Sequence, residues 1–209
     1  MAHVLTIAQQ KGGSGKTTLA VNLAVQFRLM DLRVALIDTD PQGSLGRWFM
    51  ARRDAGLTDM DFTTASAWGV GYEVEKLKKT NDIVIIDTPP KIDSDLRPSL
   101  REASLILVPV SSSMLDLWAT DGVLDMAARV GKAAVIVLNR CSSGTRLAQE
   151  IAVAAADLHP DIAAATLGQR TAFAATLGHG QGVAETGKST AQAEVRALAQ
   201  ELIDRLSAL

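Results

Sequence analysis

Short runs of β-branched and aliphatic residues alternate along this chain with longer stretches of helical periodicity. Two of the runs, Ile83-Val84-Ile85-Ile86 and Val135-Ile136-Val137-Leu138, contain no polar residue at all. A strand with one face in water alternates apolar and polar residues, whereas a strand apolar on both sides needs cover on both faces, as in a parallel sheet. Strands are expected over 4–8, 33–37, 61–64, 82–86, 105–108, 133–138 and 162–166, and helices over 16–30, 45–55, 72–79, 96–101, 115–129, 145–157, 171–177 and 190–208. This alternation implies right-handed crossovers and an α/β fold: a doubly wound, mostly parallel sheet with helices on both faces. Such sheets hold ligands beyond the carboxyl ends of their strands, so the chemistry is expected just after strands.

The remaining composition narrows the class. With 209 residues, 47% of them hydrophobic, the chain reads as one domain over 1–209, without linker or repeat. A net charge of −2 excludes a disordered chain and a polybasic arm, so any nucleic-acid contact has to come from a local patch. The single cysteine, Cys141, allows no intramolecular disulfide and points to a reducing, cytoplasmic setting. The apolar runs 133–138 and 151–156 are far too short to span a bilayer, and the N-terminus enters a strand pattern with no signal segment. The Gly-rich stretch 178–189 reads as an ordered surface loop or a flexible tail. Trp48, Trp68, Trp118 and Tyr72 are too scattered for a stacking platform and read as core or interface.

Between the first strand and the first long helix lies Gln9-Gln10-Lys11-Gly12-Gly13-Ser14-Gly15-Lys16-Thr17-Thr18. Glycines let the backbone fold tightly enough for several N–H groups to face one anion, and the helix N-terminus adds the positive end of its dipole. Lys16 would reach β and γ phosphates, and the Thr17 hydroxyl would ligate Mg²⁺. The usual G-x-x-x-x-G-K-[ST] pattern has glycine where this chain has Gln10, and a second lysine, Lys11, opens the loop.

KGGSGKTT resembles the deviant phosphate loop of the ParA/MinD superfamily of ATPases, and the chain as a whole resembles the small ParF-like partition ATPases, which lack an N-terminal DNA-binding domain. The resemblance implies ATP and Mg²⁺ as cofactors. It places Lys11, Gly12, Gly13, Ser14, Gly15, Lys16, Thr17 and Thr18 around the phosphates. It also implies that Lys11 crosses a two-fold interface to the nucleotide of the other subunit, as an arginine finger would. Catalysis would then rest on Lys11, Lys16 and Asp40.

Further along, Ile37-Asp38-Thr39-Asp40-Pro41-Gln42 and Ile86-Asp87-Thr88-Pro89-Pro90 follow two apolar strands. Carboxylates at these strand ends suit water positioning or Mg²⁺ binding, although any single Asp there is equally suited to a turn or cap. By resemblance, Asp40 positions the hydrolytic water, Asp38 lies near the Mg²⁺ shell, and Asp87 is the aspartate of the second switch loop. Asn139-Arg140 ends the sixth strand where relatives meet adenine, and a strand-end turn residue is the alternative for Asn139. Arg170, near the last nucleotide-side loop, suits phosphate, DNA or a neighbouring carboxylate. Val110–Trp118 resembles a segment that tends to lie at the dimer face of ParF-like proteins, and helix capping explains its serines equally well.

The family's classes sort by what this chain lacks. One cysteine cannot hold a shared iron–sulfur cluster, and a lone Tyr72 is not a C-terminal tyrosine cluster. The last helix carries an apolar stripe, Val195, Leu198, Leu202, Ile203 and Leu206, but its polar face has Glu194, Glu201 and Asp204 against Arg196 and Arg205. That face suits docking on its own sheet better than an anionic membrane, so no stable membrane anchor is expected. The resulting expectation is a Mg²⁺-dependent ATPase that forms an ATP-dependent homodimer and binds DNA without sequence preference. Arg140, Arg146, Arg170, Lys188, Arg196 and Arg205 are the candidate DNA contacts. A ParB-like or cargo-adaptor protein would stimulate hydrolysis in a nucleoid-associated cycle. A MinD-like membrane-associated ATPase is the alternative, and an ATP-dependent carboxylase-like ligase ranks last.

Overall fold

The computed structural model describes residues 2–90, 96–142, 145–158 and 161–209. The strands are β1 (His3–Ile7), β2 (Val34–Asp38), β3 (Asp61–Thr64), β4 (Ile83–Asp87), β5 (Leu105–Val110) and β6 (Ala134–Leu138). The helices are α1 (Lys16–Leu29), α2 (Ser44–Asp54), α3 (Val70–Leu77), α4 (Leu96–Glu102), α5 (Met114–Trp118), α6 (Asp121–Arg129), α7 (Arg146–Leu158), α8 (Thr171–Leu177) and α9 (Thr190–Ser207). Single 3-10 turns lie at Ala67–Gly69 and Val183–Glu185. The strands form one sheet in the order β3-β2-β4-β1-β5-β6, every pair parallel. This is the expected doubly wound α/β fold.

Alternate residues of each strand feed opposite cores. Leu5, Ile7, Leu36, Ile85 and Leu107 pack under α1, α2, α8 and α9. Val4, Ala35 and Val84 pack under α3, and Ile106 and Val108 under α4 and α6. Every residue of α1 from Leu19 to Phe27 is buried, because α9 and the turn at Val183 cover the helix on the side away from the sheet. Its buried Asn22 is satisfied: Nδ2 donates to the Thr18 carbonyl (2.8 Å) and Oδ1 accepts the Val183 N–H (2.9 Å). The apolar stripe of α9, Val195, Leu198, Leu202 and Leu206, is spent in the same core. Among the described residues no helix is long and apolar enough to cross a membrane.

Three expectations need correction. Residues 162–166 form no continuous strand beside β6: an isolated bridge joins Ile162 to Ile136, and the N–H groups of Ala163 and Leu167 donate to the Ile136 and Leu138 carbonyls (both 2.9 Å). The Ala165 N–H, which lies between those two donors, goes instead to Glu201 of α9 (2.9 Å), and the ladder is interrupted there. The helix expected over 115–129 is two, α5 and α6. The hydroxyl of fully buried Thr120 donates to the Leu117 carbonyl (2.6 Å) and competes with the backbone at the break. The stretch 178–189 is no mere surface loop, since Val183 and Ala184 are buried in the main core. Of the four aromatics expected in core or interface, Trp48 is in the core, and Trp68, Tyr72 and Trp118 are exposed on the single chain.

Candidate functional site

The carboxyl ends of β1, β2, β4 and β6 share one edge of the sheet. Asp38 and Asp87 are register partners on the adjacent strands β2 and β4, and Ile7, the last residue of β1, pairs with Asp87 from the other side. The loop from Gln9 to Gly15 therefore rises directly beside both carboxylates. Two loop positions need glycine for their backbone, Gly13 (φ +79°) and Gly15 (φ +90°), and at Gly15 a Cβ would also lie 2.5 Å from Asn139 Nδ2. At Gly12 and Gly13, by contrast, a Cβ would meet nothing within 4 Å. The loop faces open space where it would cradle an anion.

Side chains from β6 brace the loop from behind. Asn139 Nδ2 donates to the Ser14 carbonyl (2.9 Å), and Arg140 Nη1 donates to the Gly13 carbonyl (2.7 Å). With the carbonyls held this way, α1 begins without a side-chain cap and without an acidic residue in its first turn. Its first N–H groups are thus left for an anion. Ser14 Oγ is buried with no hydrogen-bond partner. Lys16 is 7% exposed, its Nζ donating to the Gln9 carbonyl (3.0 Å). Burial pushes its ammonium below the ordinary lysine range, against the pull of Asp87 and Asp40.

Thr17 Oγ1 donates to Asp87 Oδ2 (2.6 Å), while Asp87 Oδ1 is buried and unpartnered. Burial, reinforced by the Asp38 and Asp40 charges, pushes the Asp87 carboxyl up to about 7 in spite of the Thr17 hydrogen bond and Lys16. An orphaned carboxylate oxygen beside a threonine hydroxyl and a lysine suits a divalent cation carrying a phosphate. Among the described residues no group of three or more His, Cys, Asp or Glu could hold a metal. Mg²⁺ is ordinarily held by one or two protein ligands together with phosphates and waters.

The remaining candidates separate into those at the loop and those engaged elsewhere. Asp40 lines a cavity of about 400 Å³ with Gly12, Gly13, Lys16, Thr17 and Pro90. Asp38 lies deeper: its oxygens accept the N–H groups of Asp40 (3.0 Å) and Gly46 (2.9 Å), so it fixes the turn that starts α2. Burial raises its pKa against those two hydrogen bonds. Lys11 forms an ion pair with Asp116 of α5, and neither residue lines the phosphate-side cavity. A second cavity of about 490 Å³ is lined by Thr18, Asn139, Arg140, Arg170, Phe173 and Leu177. Both polar ends of the Asn139 amide are engaged, Nδ2 by Ser14 and Oδ1 by the Arg140 N–H (2.9 Å).

Of the three partners left open for Arg170, the structure has the carboxylate: Nε and Nη2 grip Glu194 at 2.9 and 2.5 Å. Arg146 and Arg205 are likewise paired, with Glu150 (2.8 Å) and with Asp161 and Glu201 (2.5 and 3.0 Å). Lys188 and Arg196 are exposed. Resemblance set residues 171–183 at the nucleotide side without singling out Phe173 and Leu177 as cavity walls, and sequence reasoning missed Trp48 as a wall and Asp116 as the partner of Lys11. Apolar residues within helices give no local sign of facing a cavity, and the Lys11 ion pair joins residues over a hundred positions apart.

Comparison with known proteins sets the chain among its relatives. The chain is 34% identical over 149 residues to the Maintenance of carboxysome distribution protein A of Halothiobacillus neapolitanus, covering 66% of this chain and 67% of that protein. It is 26% identical over 147 residues to the Chromosome-partitioning ATPase Soj of Thermus thermophilus, covering 57% of this chain and 59% of that one. The chain thus spans about two thirds or less of these curated relatives. In structure it superposes on the septum site-determining protein MinD of Pyrococcus horikoshii, complexed with Mg-ADP, with a TM-score of 0.82 and 19% identity, over 99% of this chain and 98% of that one. The model of the CobQ/CobB/MinD/ParA nucleotide binding domain matches residues 5–183, and this chain belongs to that family.

Proposed function

We propose that this protein is a Mg²⁺-dependent ATPase of ParA type that dimerises on ATP, binds DNA without sequence preference and positions a cargo with the help of a ParB-like or adaptor partner. The observation that carries the reading is the group of unsatisfied buried atoms at one strand edge. Asp87 Oδ1 and Ser14 Oγ lack partners while Thr17 and Lys16 stand beside them. Leaving such atoms buried and unpaired is costly unless a ligand meets them.

The α1 N-terminus and Lys16 would bind the phosphates, and Thr17, oriented by Asp87, would offer its hydroxyl oxygen to the metal. Mg²⁺, when bound, supplies charge neutralisation at the β and γ phosphates. Asp40 faces the same cavity and would orient a water for attack. Lys11 would leave Asp116 and reach the partner subunit's nucleotide. Positioning with electrostatics, rather than covalent chemistry, carries this reaction class. The cargo is a plasmid, a chromosome region or a protein assembly, the last in line with the relative named for carboxysome distribution. Such a cycle would run in the cytoplasm at the nucleoid.

Lys188 and Arg196 remain available for DNA phosphates, and two subunits would double a weak patch. The test is retention of the protein on non-specific duplex DNA with ATP and Mg²⁺, at several salt concentrations. Retention with ATP that weakens as salt rises, and is lost in Lys16→Ala, is the expected result. Binding to anionic liposomes without DNA retention would replace this reading with the membrane-associated one.

A further inference from the structure

One side of the second cavity is built by α8, through Phe173 and Leu177. A helix of seven residues has little stability of its own, so its position has to be set by what holds its two ends. At its N-terminal end, Arg170 is locked to Glu194 of α9. At its C-terminal end the chain turns through residues 178–182, with Gly180 N–H donating to Leu177 O and Gln181 N–H to Thr176 O (both 3.2 Å). That turn is seated on α2 by Arg52.

Arg52 is 1% exposed, and all five of its N–H donors are used. Nε and Nη2 form a fork on Asp59 (3.0 and 2.9 Å), Nη1 and Nη2 a second fork on Glu185 (3.1 and 2.9 Å), and Nη1 also reaches the Gly180 carbonyl (3.0 Å). The guanidinium lies 5.5 Å from the Trp48 ring centroid, and Trp48 Nε1 donates to the Gln181 carbonyl (3.2 Å). The contact is close: a Cβ on Gly180, which has a φ of +66°, would lie 2.1 Å from the Arg52 backbone nitrogen. Leu177 lines both cavities, and Trp48 lines the phosphate-side one, whereas Arg52 lines neither.

We propose that Arg52 is a positioning residue for the nucleoside half of the ligand. By clamping the turn after α8 onto α2, it sets the Leu177–Phe173 wall at the distance a base and ribose require, while the carbonyls of the phosphate loop are held by Asn139 and Arg140, which Arg52 does not touch. This rests on the nucleotide-site reading above and adds a division of labour to it. A guanidinium with two carboxylate forks and a carbonyl is a planar, directional clamp that an ammonium cannot reproduce.

The test uses Arg52→Lys and, as the milder change, Glu185→Gln, which leaves the Asp59 fork intact. Affinities for Mg-ATP and for Mg-tripolyphosphate are measured by competition against a fluorescent ATP analogue, below the melting temperature of each variant. The expected result is a fall of about tenfold for ATP in Arg52→Lys, a smaller fall in Glu185→Gln, and no change for tripolyphosphate in either. Equal losses for both ligands, or no loss of ATP affinity, would overturn the proposal. If Arg52→Lys does not fold, Glu185→Gln decides by the same criterion. Absence of ATP binding in the unaltered protein would instead contradict the nucleotide-site reading.

Discussion

Replacing Asp87 by Asn should stabilise the protein against unfolding in a pH-dependent way while abolishing the proposed Mg²⁺-dependent ATP hydrolysis. Asp87 is 1% exposed and its carboxyl sits at about 7, against an ordinary 3.8. Between those values the folded protein holds a proton that the unfolded chain has released. Unfolding free energy therefore falls as pH rises, by about 1.4 kcal/mol per pH unit. Asn cannot titrate but still accepts the Thr17 hydrogen bond, and the other groups largely cancel in the comparison. From pH 5 to pH 8 the stability of Asp87→Asn relative to the unaltered protein should rise by about 2.6 kcal/mol, most of it below pH 7. Urea denaturation at pH 5, 6, 7 and 8 in EDTA, without nucleotide, measures it. A difference that stays flat across this range would show that Asp87 is not held uncomfortably, and the argument for an unsatisfied cation ligand would go with it.

Other consequences follow from the same geometry. Asp40→Ala should keep ATP affinity while turnover falls about 100-fold in a phosphate-release assay, and unchanged turnover would remove Asp40 from water positioning. Asp116→Ala frees Lys11 from an ion pair worth about 1 kcal/mol at its half-exposed site, so the proposed ATP-dependent dimerisation should strengthen up to about fivefold in sedimentation velocity. Weaker dimerisation would mean that Asp116 serves the interface directly. Gly15→Ala imposes a left-handed residue and a collision with Asn139, and should cost about 2 kcal/mol or more in urea denaturation together with nucleotide binding. A neutral result would contradict the loop geometry.

The rhythm of apolar runs was enough to specify the parallel sheet, because a strand buried on both faces leaves its signature in every residue. The phosphate loop was equally legible: Gly12 to Thr18 are contiguous, and a contiguous motif between a strand and a helix fixes its own surroundings. Asp40 and Asp87 could be found as strand-end carboxylates, since topology alone sends all parallel strand ends to one edge. What that rule could not do was rank them. Asp38 and Asp87 are register partners, yet one carboxylate accepts two backbone N–H groups and the other keeps a bare oxygen, a difference made by how α2 starts.

Tertiary structure decided everything that depends on residues far apart in the chain. It sent Arg170 to Glu194 and Lys11 to Asp116, took the Ala165 backbone donor from a seventh strand, and drew Val183 out of a Gly-rich stretch into the core. The sequence by itself determined the parallel sheet and the place of the glycine-rich loop between β1 and α1, because both follow from local pattern. Which charges are spent inside the molecule and which remain for a ligand is a matter of pairing across distant segments, and only the packed chain settles that.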